Sequence, residues 1–560
     1  MGVVLGINLS HDTSVCLIKD GEVFAAEEER WSRIKHNSKN MQDEYLFPEK
    51  SLKYVLEESN VCINEISLVV CVSMSSYDIM YESIHGREEL KQFKNVIYIT
   101  HHKAHILSGF LLSPFNKAVG ICVDGAGSVL GLDYLVRERV SGYYLDDSKL
   151  IRIFSNHDKV SVNVDDGKII KHKNSLGRFY ENFARRCIPI GDEPEGSMMA
   201  LAAYAENEEE YYEEVSGLIE LFPEGHFQIK GSYATDTKDA YIFGDYEWIL
   251  GEADRIPFEK RANMAAAVQR VYEETMIHVL NELYNRCPID NLVISGGCAL
   301  NSKFNGVIKA NTKFKNIYVP PAPNDGGVAL GAALYAWNYL LGEKRIKTPV
   351  SSSWGPKVEE LSEEEKCELV RKNIEVIDTD EDNLYSEVAR LLADKNIIVW
   401  CRGRMEFGPR ALGNRSIIAH PGDVDVSKRL NRIKRRAEYR PLAPSILKDR
   451  FNDFFFGDAD YYMNKVAYVK DCELLAGCSH KDNSARVQLV DDSGEFFKLL
   501  QAFEKMTNLP IILNTSLNMK GIPIARDKED AIDIFEKLDV DAAVIGNSLL
   551  VKRRCRKRAK

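Results

Sequence analysis

The chain has no CxxC pair. Its 12 cysteines are scattered singly, and Cys16, Cys71 and Cys122 fall inside apolar stretches, which reads as reduced core thiols rather than a disulfide framework. No GxxxxGK[ST] run occurs, so a P-loop is excluded as the source of nucleotide binding. No apolar stretch approaches the roughly 18–20 residues that span a bilayer. The opening MGVVLGINLSHD carries neither a basic leader nor a small-residue cleavage site. Gly6 stands where a myristoylation signal wants Ser or Thr. The expected location is cytoplasmic, with no membrane partner. Positive charge is in deficit, 73 basic against 84 acidic residues for a net −11, which disfavours nonspecific wrapping of nucleic acid.

What is present is an ordinary globular composition, 45% hydrophobic and 28% charged, in a chain of 560 residues. At roughly 150 residues per domain, that length predicts three or four structural units. Strand-like and helix-like runs alternate: VVLGINL, SVCLIKD and EVFAAE, then SLKYVLEES, then SLVVCVSM and NVIYIT. This is the rhythm of an α/β fold. A second copy of the opening pattern, KAVGICVDGAGSVLGLDYLV at 117–136, suggests duplication. The charged, Pro/Ser-containing stretch from Gly342 to Glu365 marks a linker. The expected organisation is one domain over 1–345, a linker over 346–365, a second α/β domain over 366–551 and a basic tail over 552–560.

Asp12 and Asp124 each lie in a strand-turn-strand loop beside small residues. Such a loop lets backbone N–H groups approach phosphate while the carboxylate holds a metal or orients water. The plain alternative is a β-turn in which Asp serves its own backbone. A third element, Ser295-Gly296-Gly297 with Asn301, ends the strand NLVIS. His101 and His105 are spaced i, i+4 in THHKAHI, which suits two imidazoles on one metal as well as two satisfied core histidines. Asp124 in DGAG and Asp325 in NDGG supply carboxylates, a donor set suited to Fe, Mn or Mg.

Farther on, Arg402, Arg404, Arg410 and Arg415, then Lys434, Arg436 and Arg440, are interleaved with Gly, Pro, Phe and Leu. That mixture favours a folded anion site over a solvated helix face. Arg486 and the strand mouth IILNTSLN, with Asn514, Ser516 and Asn518, add groups able to bind an anion and a planar amide.

The order GINLSHDTS, EEERWSRIKH, HxxxH, VDGAG, SLGRFYE, SGGCALN and APNDGG, followed by GRMEFGPRALGNRS and LNTSLN, resembles the O-carbamoyltransferases of antibiotic and nodulation-factor biosynthesis. The resemblance implies an α/β chain with a duplicated actin/hexokinase-like ATPase domain, similar to the tRNA threonylcarbamoyl transferase. After it comes an α/β domain similar to threonylcarbamoyl-AMP synthase. It implies ATP as co-substrate, and one divalent metal, Fe(2+) ahead of Mn or Mg, on His101, His105, Asp124 and Asp325. Nucleotide contacts would come from Gly125, Gly296, Gly297, Asn301 and Asn324. His11 and Asp12 would sit near the acceptor hydroxyl, with a near-neutral histidine taking its proton, and Lys35 over the reacting centre. Carbamoyl phosphate would be gripped by Lys434, Arg440, Arg486, Ser516 and Asn518, with Arg410 nearby. The acceptor would be a hydroxyl-bearing small molecule, the assembly a homodimer.

Two departures stand out, Ser197 where the family writes lysine and Ala437 where it writes glutamate. Rival readings are a sugar kinase of the same ATPase superfamily and a threonylcarbamoyl tRNA-modifying enzyme.

Overall fold

The computed structural model describes residues 2–37, 47–73, 88–129, 137–162, 169–191, 193–234, 240–491 and 494–553. Most of the basic tail, the end of the repeat at 117–136 and residues 235–239 lie outside these. The chain divides into two compact units, Met1–Glu28 with His36–Thr348, and Glu29–Lys35 with Pro349–Lys560. No helix among the described residues is long and apolar enough to cross a membrane.

Two five-stranded sheets build the first unit. One runs Glu22–Glu27, Ser14–Lys19, Val3–Asn8, Ile66–Ser73, Val96–Thr100, and the other Leu150–His157, Glu138–Asp146, Lys117–Val123, Asn291–Ser295, Asn316–Tyr318. In each, the first three strands are antiparallel and the last two run parallel to the third. The sheets therefore share order and sense, and Asp12 and Asp124 follow corresponding strands. Val3–Asn8 is buried throughout, as expected of a strand covered on both faces.

The helix His101–Leu112 is buried at every position except Lys103, so it is an interior helix rather than an amphipathic one. The second interior helix, Val328–Leu334, is written VALGAAL, in small and aliphatic residues. Small size is required here. A Cβ on Gly331 would lie 1.9 Å from the Ala104 carbonyl oxygen of His101–Leu112, and one on Gly6 would lie 2.0 Å from the Ala329 carbonyl oxygen. Helix backbone thus packs directly on helix and strand backbone.

The second unit centres on an eight-stranded mixed sheet ordered Ile374–Asp378, Ser548–Lys552, Ala542–Ile545, Ile398–Cys401, Arg415–Ala419, Ile511–Ser516, Ala443–Leu447, Gln488–Val490. The run AAVIGNSLLVK is a hairpin, with Ala542–Ile545 antiparallel to Ser548–Lys552. Alternation in Ile398–Cys401 fills two cores. Val399 and Cys401 pack with Val426, Leu430, Ile534 and Phe535 on one face. Ile398 and Trp400 pack with Leu384, Val388, Leu499 and Phe503 on the other. Helices cover both faces because both carry apolar side chains.

Gly331→Ala tests the backbone contact. Alanine gains about 1 kcal/mol of helix propensity, but the forced separation costs about 1–3 kcal/mol. The expected outcome is net destabilisation in chemical denaturation, and a more stable variant would contradict the contact.

Candidate functional site

Asp325 lies at the N-terminal approach to Val328–Leu334, while His101 and His105 occupy the first turns of His101–Leu112. The close packing of these helices brings the three side chains together, and Asp124 completes the group. His101 Nε2 lies 3.0 Å from Asp124 Oδ2, 3.0 Å from His105 Nε2 and 3.3 Å from Asp325 Oδ1. His105 Nε2 is 3.3 Å from the same Asp325 oxygen. One ligand atom from each residue falls within 4.8 Å of all the others. Both histidines are fully buried.

Burial opposes charge on His101, but Asp325 and Asp124 outweigh it and hold the imidazole protonated well above its usual range. Burial also opposes charge on Asp124, and the imidazoles reverse that too, keeping the carboxyl far below the ordinary carboxylate range. Two nitrogens and two carboxylate oxygens converging in a buried place fit a divalent cation.

Outer groups orient these donors. Asp124 Oδ1 accepts from the backbone N–H of Gly125 at 2.8 Å and of Gly297 at 3.2 Å, which aims Oδ2 at the histidines. The Gly125 carbonyl accepts from Ser175 Oγ and from Arg139. Gly296 has a left-handed φ of 95°, and a Cβ there would lie 2.3 Å from the Val123 carbonyl oxygen. Its bare backbone thus answers to strand packing. Asn301 caps the helix Ser302–Asn311 through Phe304 N–H and exchanges hydrogen bonds with Gln269. The five residues expected on the nucleotide thus have structural partners: Gly125 and Gly297 on Asp124, Gly296 on Val123, Asn301 on Gln269, and Asn324, whose Nδ2 donates to Asp12 Oδ2 at 3.0 Å.

Buried Asn8 ties the neighbouring loop to this group. Its amide nitrogen donates to the carbonyls of His11 at 2.7 Å, Asp12 at 3.0 Å and Asp325 at 3.0 Å. Asp12 holds a left-handed φ of 55°, an uncommon conformation for a residue with a side chain. Its carboxylate meets His11 Nδ1 at 3.3 Å and His36 Nδ1 at 2.5 Å. Sequence reasoning missed His36, although it follows Lys35 directly in RIKH. The surroundings oppose a charge on His11, yet the hydrogen bond and charge of Asp12, with Asp325 and Asp124, raise it to about 9. The near-neutral histidine expected at this position is displaced by that pairing. Lys35 ends the segment Glu29–Lys35, which belongs to the second unit. There Arg30 donates to the Gly408 carbonyl at 2.8 Å, and Arg33 to the carbonyls of Pro523 and Ile524 at 2.9 Å each.

In the second unit, sheet pairing decides where the basic residues fall. Ser416 pairs with Ser516, Ala443 with Asn514 and Ser445 with Gln488. The strands Arg415–Ala419, Ala443–Leu447 and Gln488–Val490 therefore begin at the end of the sheet where Ile511–Ser516 finishes. Arg410, Arg440, Arg486, Ser516 and Asn518 all belong to the chain segments at that end. Lys434, at the C-terminal end of Val424–Ile433, donates to the carbonyls of Ser516 at 2.6 Å and Asn518 at 2.7 Å and to Asn518 Oδ1.

The other expected anion ligands have structural partners. Arg415 is fully buried and donates to the carbonyls of Arg402, Gly403, Asn414, Pro356 and Arg526. Arg402 pairs with Glu495 at 2.6 Å, Arg404 donates to the Gly355 carbonyl at 3.1 Å, and Arg436 donates to Asn431 and to the Pro441 carbonyl. A guanidinium whose donors meet carbonyls braces a loop instead of waiting for phosphate. Ser197 is buried within Pro194–Leu201, and Ala437 sits in the turn whose carbonyl accepts from Arg440 N–H.

His105→Ala and Asp325→Asn should each weaken Mn(II) or Fe(II) binding by about 100-fold or more, and Asn8→Ala by about 10–100-fold through lost orientation. Calorimetric titration checks both, and unchanged affinity in His105→Ala would remove the metal assignment.

Residues 71–334 match the family described as Carbamoyltransferase N-terminus, and residues 389–552 match Carbamoyltransferase C-terminus. An uncharacterized protein of Synechocystis sp. is 30% identical over 98% of this chain and 96% of its own length. Nodulation protein NolO of Bradyrhizobium diazoefficiens is 30% identical over 81% of this chain and 79% of its own. The 3'-hydroxymethylcephem-O-carbamoyltransferase of Amycolatopsis lactamdurans is 33% identical over 46% and 48%. With both halves matched in order and 30% identity to nodulation protein NolO over 81% of this chain, the protein belongs to the carbamoyltransferase family and is an enzyme of that class.

Proposed function

We propose that this protein is an ATP-dependent O-carbamoyltransferase working through carbamoyl-adenylate. Water hydrolyses carbamoyl phosphate in the second unit to carbamate and phosphate, the new C–O or P–O bond replacing the broken anhydride bond. The carbamate oxygen attacks the α-phosphate of ATP in the first unit, and pyrophosphate leaves. The hydroxyl of a small natural-product or sugar acceptor then attacks the carbamoyl carbon and AMP departs. The observation that carries this reading is the convergence of His101, His105, Asp124 and Asp325 in a unit of two like-ordered sheets. That duplicated plan supports an actin/hexokinase-like ATPase domain.

His101, His105, Asp124 and Asp325 would hold a divalent cation, which would supply positive charge against the nucleotide phosphates. By the family resemblance Lys35 supplies a further cation to the reaction. His11, an imidazolium beside Asp12 at neutral pH, donates a hydrogen bond where negative charge develops, the role preorganised donors fill in group transfer. Arg440 and Arg486, with Arg410 and Lys434, present cations to carbamoyl phosphate at the shared sheet end, and Ser516 and Asn518 offer hydroxyl and amide groups to its carbamoyl part. AMP is a far better leaving group than the hydroxide that free carbamate would have to expel, which is why adenylation precedes transfer.

A kinase would have no use for the second unit's carbamoyltransferase sequence. Incubation with carbamoyl phosphate, ATP and Mn(II) should yield pyrophosphate and carbamoyl-AMP, and ADP in their place would sink the reading. Arg486→Ala should lose carbamoyl phosphate cleavage by about 100-fold or more while ATP binding, followed by calorimetry, persists.

A further inference from the structure

The pair of imidazoles on Asp12 contains a residue to which nothing so far gives a task. His36 and His11 meet different oxygens of the Asp12 carboxylate. His36 Nδ1 is 2.5 Å from Asp12 Oδ1, while His11 Nδ1 is 3.3 Å from Oδ2. Asn324 Nδ2 donates to that same Oδ2, so the carboxylate is fixed by three groups and cannot swing. The two rings lie against each other, tilted, with centroids 4.3 Å apart and planes 31° apart. His36 (φ 60°) and Asn37 (φ 49°) both hold left-handed backbone, as Asp12 does. Three such residues in one small region mark a conformation that the surroundings impose. Asn37 Nδ2 donates to Thr13 Oγ1 at 2.8 Å, which pins the turn carrying His36 to the loop carrying Asp12. The side chain of His36 remains 48% exposed, so a solute can reach it.

Resting on the carbamoyl-transfer reading above, we propose that His36 is the catalytic base of the transfer step, oriented by Asp12, and that it takes the proton of the attacking hydroxyl. A carboxylate on Nδ1–H leaves the imidazole lone pair on Nε2. His11 meets one carboxylate oxygen at 3.3 Å, while His36 makes the shorter contact, 2.5 Å, to the other, so His36 is the ring that Asp12 orients most tightly as acceptor. In the step, the O–H bond breaks and its proton passes to His36 Nε2. The hydroxyl oxygen bonds to the carbamoyl carbon, and the electron pair of the carbamoyl C–O bond leaves on the phosphate oxygen of AMP.

The test uses the full chain with carbamoyl phosphate, ATP and Mn(II), with water and methanol as hydroxyl probes, following pyrophosphate, carbamoyl-AMP, AMP and methyl carbamate in single turnovers. His36→Gln should slow AMP release from the adenylate by about 10²–10⁴-fold, so that carbamoyl-AMP accumulates. Hydroxylamine, a strong nucleophile with less need of a base, should discharge that accumulated adenylate. Added imidazole should restore AMP release in His36→Ala, which a merely structural role would not allow. The proposal is overturned if His36→Gln discharges the adenylate at the wild-type rate. It is equally overturned if pyrophosphate and AMP release fall together in both variants without imidazole rescue. Absence of carbamoyl-AMP from the wild-type enzyme overturns the carbamoyl-transfer reading itself, and this proposal with it.

Discussion

The first unit depends on one close contact, the backbone of Val328–Leu334 lying directly on the backbones of Val3–Asn8 and His101–Leu112. Ordinary side chains would separate these elements by several ångströms. Asp325 stands at the start of that helix and His101 and His105 on the neighbouring one, so separation would dissolve the ligand group. The contact also explains a helix made of alanine, valine, leucine and glycine, since each small residue lowers the surface enough for its neighbour to touch. Packing here sets chemistry, because the spacing of backbones decides the spacing of donors.

Polar satisfaction supplies the second constraint. A buried amide or guanidinium without partners costs more than a typical hydrogen bond contributes, and several interior polar side chains here are spent on the backbone. Asn8 binds the loop of His11 and Asp12 to the carbonyl of Asp325. In the second unit Arg415 plays the same part for the loop 402–414, where the Glu406 carboxylate also accepts from the backbone N–H groups of Leu412, Asn414 and Arg415. These residues look like ligand groups in the linear chain because ligands and loops ask for the same chemistry. A guanidinium offers one set of donors, which it spends on carbonyls or on phosphate.

That ambiguity bounds what could be read without the fold. The α/β class, the repeat around Asp12 and Asp124 and the spacing of His101 and His105 were legible, since hydrophobic alternation and i, i+4 spacing are local. The convergence of Asp325 with them was suggested by its glycine-flanked NDGG setting and by resemblance, not by spacing, because 220 residues separate it from His105 and no local pattern encodes such a distance. Gly296 and Asn301 show how one residue type serves two ends. Glycine at a strand end suits a ligand's approach and a crossing backbone equally, and here Val123 is what approaches. His36 escaped notice because its partner lies on another strand connection, 24 residues away.

The course of the chain between Glu28 and His36 was equally hidden. It leaves the first unit, runs with the second through Glu29–Lys35 and returns, held there by Arg30 and Arg33 on backbone carbonyls. By itself the sequence determined which elements form, which stretches are apolar on one or both faces, and that the chain carries carbamoyltransferase motifs, because these rest on local propensity and ordered pattern. Tertiary structure alone decided which of the many Asp, His, Arg and Asn side chains face one another and which brace the backbone. Hydrogen-bonding capacity is the same in either use, and only position in space separates them.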